Sequence, residues 1–374
     1  MRIALFLPSL DGGGAERINL LLATGFLQKG AQVDLVLARA QGPYLEMVPR
    51  GVNLIDLRAS RVLTSFPALV SYLKRENPFV LLSSLSHANV VAVWAREVAR
   101  VPTKVLVAEH VPLKASYRNK HLRLNEQMVR SLMGGAYRRA EAVIAVSRGL
   151  GRELVEGFGL PKDKIRVIYN PVIQDELFEK AKEPVEHPWL LPGGPPVFLA
   201  VGRLVAEKNF ELLIRAFARV RRERESRLLV LGEGPERARL EGLVRSLGLE
   251  EHVDMPGFVP NPYPYMAKAS ALVLSSLYEA LPTVLIEGLA LGVPVVATDC
   301  PYGPAEILEG GRWGILVPVG NEEALAQAMV EVLLKPPSEG ERRVARESAI
   351  ERFGLRKAVS EYWDIIQEIT RNAS

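Results

Sequence analysis

Short apolar runs alternate with longer stretches whose apolar positions recur at helical spacing, and this alternation extends through most of the 374-residue chain. Ile3–Leu7 and Val33–Ala38 read as the first two strands, with a helix from about Ala15 to Lys29 between them. Phe79–Ser83, Lys104–Ala108, Ala142–Val146 and Ile165–Tyr169 read as further strands. Such alternation predicts a doubly wound parallel sheet, in which ligands sit at the carboxyl ends of the strands. Asn170-Pro171 closes this half. Residues 173–196 then carry Pro184, Pro188, Pro192, Pro195 and Pro196 without periodicity, which is the composition of a linker. The pattern restarts at Val197–Val201 and continues through Leu228–Leu231, Ala271–Leu274 and Val295-Val296-Ala297. The tail, about Glu341–Thr370, reads as helical with a break near Gly354. Its Trp363, Ile365, Ile366 and Ile369 need a surface to bury against.

Composition agrees with two ordinary globular domains: 48% of residues are hydrophobic and the mean hydropathy is +0.09. No apolar run approaches the roughly 18 residues that would span a bilayer, and Ile3–Leu7 is too short for the core of a signal peptide. Cys300 is the only cysteine, which excludes an internal disulfide and a cysteine-based zinc site and points to the cytoplasm. A net charge of +4 is too mild to imply nucleic acid. The charge is unevenly placed, however. Residues 114–139 hold Lys114, Arg118, Lys120, Arg123, Arg130, Arg138 and Arg139 against the single acid Glu126. A basic face of this kind suits anionic lipid head groups, with Lys114, Arg118, Lys120 and Arg123 as the contacts; the alternative is a solvated face of an amphipathic helix.

The candidate chemistry is densest in residues 271–308. Ala271–Leu274 reads as a buried strand, Pro282 stands in the first turn of the following helix, and Leu285, Ile286, Leu289 and Ala290 give that helix its core face. A helix N-terminus attracts phosphate, so the backbone of Leu281, Thr283 and Val284 is a cradle for a diphosphate. Glu279 and Glu287 flank the helix start. Ionised carboxylates only accept hydrogen bonds, so beside an anion they suit the hydroxyls of a sugar and a ribose. Phosphate flanked by hydroxyl-rich groups describes a nucleotide sugar. Arg203 and Lys208, in Gly202-Arg203-Leu204-Val205-Ala206-Glu207-Lys208-Asn209, stand at the carboxyl end of a strand and are placed to neutralise a diphosphate. Gly232-Glu233-Gly234-Pro235 is another strand–glycine turn. Asp11-Gly12-Gly13-Gly14 follows the first strand, but lacks the third glycine of a dinucleotide fingerprint and the lysine of a P-loop. His110 ends a strand beside Glu109; on position alone it reads equally as a structural histidine.

The Glu279–Glu287 spacing and the Gly-Arg-x4-Lys-Asn pattern resemble the retaining GT-B glycosyltransferases of family 4, which make lipid-linked and surface polysaccharides. The resemblance spans nearly the whole chain. It implies an α/β GT-B fold, two doubly wound Rossmann-like domains facing across a cleft. The domains would be 1–172 on the acceptor side, a linker at 173–196 and a nucleotide-sugar domain at 197–354, with a last helix, about 355–374, returning to the first domain. By the same resemblance Arg203 and Lys208 hold the leaving diphosphate, Glu287 takes the ribose and Glu279 the sugar. His110 lies beside the donor sugar, Gly13 and Gly14 face the donor phosphates, and Pro256-Gly257-Phe258-Val259 lies beside the base, adding Val259 and Gly234 to the donor-binding set. The implied reaction retains anomeric configuration and needs no obligatory metal. The donor would be a hexose or N-acetylhexosamine on a nucleoside diphosphate, UDP being the commonest, and the acceptor a saccharide or lipid-linked saccharide. Ala280 and Thr283 depart from the family's usual Gly and Asn, so the sugar contacts need not copy those of a relative. Two other functions fit a two-domain nucleotide-sugar protein: an epimerase, which converts its substrate with no acceptor, and a non-catalytic sensor, which binds donor without releasing nucleotide.

Overall fold

The computed structural model describes residues 1–112 and 124–371. The chain divides into two compact units, Met1–Pro171 with Leu355–Ser374, and Val172–Gly354.

The first unit is built on β1 (Arg2–Leu7), β2 (Gln32–Leu37), β3 (Asn53–Asp56), β4 (Val80–Ser84), β5 (Lys104–Glu109), β6 (Ala142–Ala145) and β7 (Ile165–Val167). They form one sheet in the order β3-β2-β1-β4-β5-β6-β7, with every pairing parallel. Helices cover both faces of a parallel sheet, and the continuous apolar runs of β1, β2 and β4 are accordingly buried on both sides. The sequence pattern misses β3. Its Asn-Leu-Ile-Asp is short, polar at both ends and largely exposed, because an edge strand packs little and needs only the ladder to β2.

The second unit contains β8 (Val197–Val201), β9 (Arg227–Leu231), β10 (Val253–Gly257), β11 (Ala271–Leu274), β12 (Val295–Thr298) and β13 (Ile315–Val317). Its order, β10-β9-β8-β11-β12-β13, repeats the first unit's arrangement with the first strand at the centre. β10 escapes a sequence reading because Pro256 interrupts it. The strand tolerates that proline by lying at the sheet edge with a register shift between Asp254 and Gly257. In both sheets the order reverses beside the first strand, so β1/β4 and β8/β11 are the switch points where loops part and a ligand crevice opens.

Residues 173–196 are not a free linker. They contain the helix Asp175–Lys180, bury Leu177, Val185 and Leu190, and belong to the second unit. His187 reaches Asp254 Oδ2 at 3.0 Å, and Asn261 Nδ2 donates to Lys180 O at 2.9 Å. Proline removes periodicity from a segment without preventing its side chains from docking.

The last helix, Leu355–Arg371, packs in the first unit, burying Ala358, Val359, Tyr362, Ile365 and Ile366 against the helix Gly14–Gln28. Phe26 meets the Tyr362 ring edge-on at 6.3 Å. Gly25 makes this approach possible: a Cβ there would lie 2.2 Å from Val359 Cγ2. Gly25→Ala is therefore expected to destabilise the first unit by about 1–3 kcal/mol through overpacking, despite alanine's better helix propensity. Denaturant unfolding of the variant checks this, and Val359→Ala in the same chain should restore part of the loss.

Candidate functional site

In the second unit, the carboxyl ends of β8, β11 and β12 gather most of the sequence-predicted groups. After β8 the chain makes a single turn, Ala206–Lys208, and Asn209 takes a left-handed conformation (φ 49°) to enter the helix Phe210–Glu223. This turn aims Lys208 across to the loop after β11, where its Nζ lies 2.6 Å from Glu279 Oε1. Ser276 Oγ donates to the same Oε1 at 2.7 Å. The two loops are tied by backbone as well: Leu277 N donates to Glu207 O at 2.8 Å, and Ser275 Oγ to Lys208 O at 2.8 Å. Arg203 differs from its partner in the motif. Its side chain is 80% exposed, and its nearest carboxylate, Glu207, is 3.9 Å away.

The segment 279–283 is clamped from the other side. Glu279 bridges to Tyr302, which holds a positive φ of 82°, unusual for a bulky residue. A Cβ on Gly303 would fall 2.4 Å from Pro282 Cδ, so only glycine permits the approach. Pro282 occupies the N-cap, one residue earlier than the sequence reading places it, and the helix proper is Thr283–Ala290. No side chain caps that N-terminus, so the Thr283 and Val284 amides have no side-chain acceptor; Leu281 beside them is buried. Glu287, in the second turn, is only 6% exposed, and Tyr263 Oη lies 3.3 Å from its Oε1. Cys300 sits near the ion pair. Burial, then the Glu279 charge, pushes its thiol up to about 12, which leaves it inert.

Gly234, in the predicted donor set, and its neighbour Gly232 have a reason within the protein. A Cβ on Gly232 would lie 1.9 Å from Gly202 O, and one on Gly234 2.3 Å from Leu204 O. Gly234 thus serves the packing of the β8 and β9 loops, and its being glycine says nothing of a ligand. On the neighbouring β10 loop Val259 is half-buried and Phe258 stands 74% exposed.

The first unit has its own polar cluster at its switch point. The Gly13 amide, expected to face phosphate, donates instead to Glu16 Oε2 at 2.6 Å, as does the neighbouring Gly12 amide at 2.7 Å. Gly14 is different. A Cβ there meets nothing within 4 Å, so the protein itself does not require glycine at that position. At the end of β5, Glu109 is fully buried and accepts from Tyr137 Oη, Asn89 Nδ2 (3.0 Å) and Ser86 Oγ (3.1 Å). Burial outweighs these bonds and, with Glu153 nearby, raises its carboxyl to about 7. His110 follows directly. Its two ring nitrogens are shut off from solvent, and burial pushes it down to about 4 against the opposing effect of Asn170. It is a neutral imidazole at physiological pH.

Of the basic segment, Lys114, Arg118, Lys120 and Arg123 lie outside the described residues. Arg138 and Arg139 are spent on the first unit itself: Arg138 Nη2 donates to Phe158 O at 2.6 Å, and the Arg139 guanidinium stacks 4.8 Å over Trp94. Both side chains remain exposed and charged. Among the described residues no group of three or more His, Cys, Asp or Glu is gathered as a metal site, and no helix is long and apolar enough to cross a membrane.

Residues 12–176 match the family model described as Glycosyltransferase Family 4, and residues 182–352 match that of Glycosyl transferases group 1. The chain is a glycosyltransferase of this family. Its two-sheet architecture is the GT-B fold. Among curated relatives, it is 29% identical over 342 residues to a Campylobacter jejuni enzyme, covering 89% of this chain and 90% of that one. That enzyme is named N-acetylgalactosamine-N,N'-diacetylbacillosaminyl-diphospho-undecaprenol 4-alpha-N-acetylgalactosaminyltransferase. Among solved structures, sucrose-phosphate synthase from Thermosynechococcus elongatus superposes with a TM-score of 0.82 at 20% identity, each chain covered to 100%. Anabaena HepE, solved in complex with UDP, gives 0.77 at 22% identity, covering 100% of this glycosyltransferase and 99% of HepE. At such identities the structural neighbours speak for the fold alone.

Serine 276, Tyr263, Tyr302 and Gly303 belong to the site and escape a reading of the sequence. Tyr263, Tyr302 and Gly303 act by touching residues distant along the chain, which no spacing rule records, and Ser276 touches Glu279 three residues on through a loop with no periodicity.

Proposed function

We propose that this glycosyltransferase moves a hexose or N-acetylhexosamine from a nucleoside diphosphate sugar, with UDP as the carrier, to a lipid-linked saccharide, with retention of anomeric configuration and no obligatory metal. The observation that carries this reading is the pairing of Lys208 with Glu279 beside the uncapped start of the helix Thr283–Ala290. A cation, free amides and a carboxylate in one place match a diphosphate joined to a hydroxyl-bearing ring. Lys208, Arg203 and the amides of Thr283 and Val284 would stabilise the leaving diphosphate, charge that develops only as the glycosidic bond breaks. Glu287, buried beside Tyr263, would accept from ribose hydroxyls, and Glu279 from the sugar. The UDP complex of the Anabaena neighbour and the diphospho-undecaprenol substrate in the Campylobacter relative's name support the choice of donor and acceptor class. An epimerase or a sensor has no such support.

Calorimetry with UDP separates the two glutamates. Glu287→Ala is expected to weaken UDP binding by tenfold or more, since hydrogen bonds to a charged acceptor contribute about 1.5–3 kcal/mol. Glu279→Ala should leave UDP affinity unchanged or improve it, because Lys208 then has no carboxylate to hold it back. Equal losses in the two variants mean that the roles are misassigned.

A lipid-linked acceptor would be met at an anionic membrane surface, through Lys114, Arg118, Lys120 and Arg123. Each such residue near the bilayer contributes roughly 1 kcal/mol, screened by salt. Co-sedimentation with phosphatidylserine vesicles should therefore be seen at low salt and be lost when Arg118, Lys120 and Arg123 are together changed to Glu. Binding that survives this change, or no binding at low salt, rules the surface out.

A further inference from the structure

Glu279 is held in an unequal way. Its Oε1 accepts from both Lys208 Nζ, at 2.6 Å, and Ser276 Oγ, at 2.7 Å, while Oε2 accepts from none of the described residues. The two holders respond differently to an arriving anion. Lys208 is a flexible cation that a diphosphate competes for directly. Ser276 is neutral, wholly buried, and fixed through its carbonyl, which accepts from the equally buried Thr298 Oγ1 at 2.7 Å. Its neighbour Ser275 holds the Lys208 backbone, so the lysine stem stays anchored while its ammonium swings.

We propose that Ser276 is a positioning residue for transfer: it keeps Glu279 aimed at the donor sugar when the diphosphate draws Lys208 away. This rests on the donor-binding reading given above. Without Ser276, the carboxylate freed by Lys208 has no remaining partner on Oε1 and turns among rotamers. With Ser276, Oε1 stays bound and Oε2 stays presented to the ring hydroxyls. The carboxylate is thus preorganised for the sugar-bearing donor, at no cost to nucleotide binding.

The test compares Ser276→Ala, Ser276→Thr and Glu279→Gln with the wild type. UDP affinity is measured by calorimetry. Turnover is followed as UDP release from whichever of UDP-glucose, UDP-galactose, UDP-N-acetylglucosamine and UDP-N-acetylgalactosamine the wild type consumes. Ser276→Ala is expected to bind UDP as the wild type does and to lose about tenfold or more in kcat, the effect of one hydrogen bond to a charged group. Ser276→Thr, which keeps the hydroxyl, should recover much of that loss. Full turnover in Ser276→Ala alongside an inactive Glu279→Gln overturns the role of Ser276 and leaves the donor reading standing. A loss of UDP affinity in Ser276→Ala that matches its loss of turnover also overturns it, because the residue then supports the loop as a whole. Wild-type turnover in Glu279→Gln instead brings down the donor reading itself.

Discussion

Lys208→Ala is expected to lower kcat by about 10²–10³, the usual loss when one preorganised electrostatic donor is removed from a developing negative charge. The side chain is 23% exposed, fills no core position, and is fixed on Glu279 in the absence of ligand. Its backbone is anchored by Ser275, so only the ammonium has to swing from Glu279 to the diphosphate, and that short reach is what its loss forfeits. Arg203→Ala should have the smaller effect. Its side chain is 80% exposed with only a distant carboxylate, so it must be immobilised before it contributes. Both variants should keep wild-type thermal unfolding, because neither cation is buried among apolar groups. Steady-state turnover on folded protein decides the matter. Near-normal kcat in Lys208→Ala removes the ion pair from the reaction, and a larger loss in Arg203→Ala than in Lys208→Ala reverses the assigned ranking.

The second large effect is on stability, at the end of β5. Glu109 has its folded pKa raised from 4.5 to about 7, so between those values the folded state holds a proton that the unfolded chain releases. Its contribution to stability is fully present below 4.5 and is lost as pH rises through 7. His110 is the opposite case. Its folded pKa is lowered from 6.5 to about 4, so the unfolded chain takes up the proton first, and stability is lost as pH falls from 6.5 through 4. Each shift corresponds to about 3 kcal/mol at full extent. In the wild type the two opposing slopes largely cancel between pH 4.5 and 6.5. Single substitutions should unmask them. Glu109→Gln, which still accepts from Tyr137, should lose stability relative to the wild type as pH falls from 7 to 4.5, with no further change in the difference above about pH 7. His110→Asn should lose stability relative to the wild type as pH rises from about 4 to 6.5. Denaturant unfolding at several pH values gives these differences. A Glu109→Gln difference that does not vary with pH contradicts the buried-acid account.

Much of the fold was written in local order. β1, β2, β4 and β5 are largely apolar runs buried on both faces, and such runs are legible because every residue after the first faces protein. The helix at 283–290, its capping proline and the restart of the pattern at Val197 are legible for the same reason: each is decided by neighbours within a few residues. The elements that escaped are those whose stability comes from elsewhere in the chain. β3 and β10 are edges held by a ladder to one partner, and the proline-rich 173–196 is folded by Asp254 and Asn261, far along the sequence.

The site divides in the same way. The sequence by itself named the groups able to meet a diphosphate and hydroxyls, Arg203, Lys208, Glu279 and Glu287, because charge type and position at strand ends are local properties. Only the tertiary structure decided what each of them does before a ligand arrives. It set Lys208 on Glu279 and left Arg203 in solvent, it gave Gly234 to the backbone of Leu204, and it spent the Gly13 amide on Glu16. It also made Glu109 a near-neutral acid and His110 an uncharged base, since both shifts come from burial. Burial and pairing are properties of what packs against a residue, and at a switch point those partners come from loops brought together only when the sheet forms.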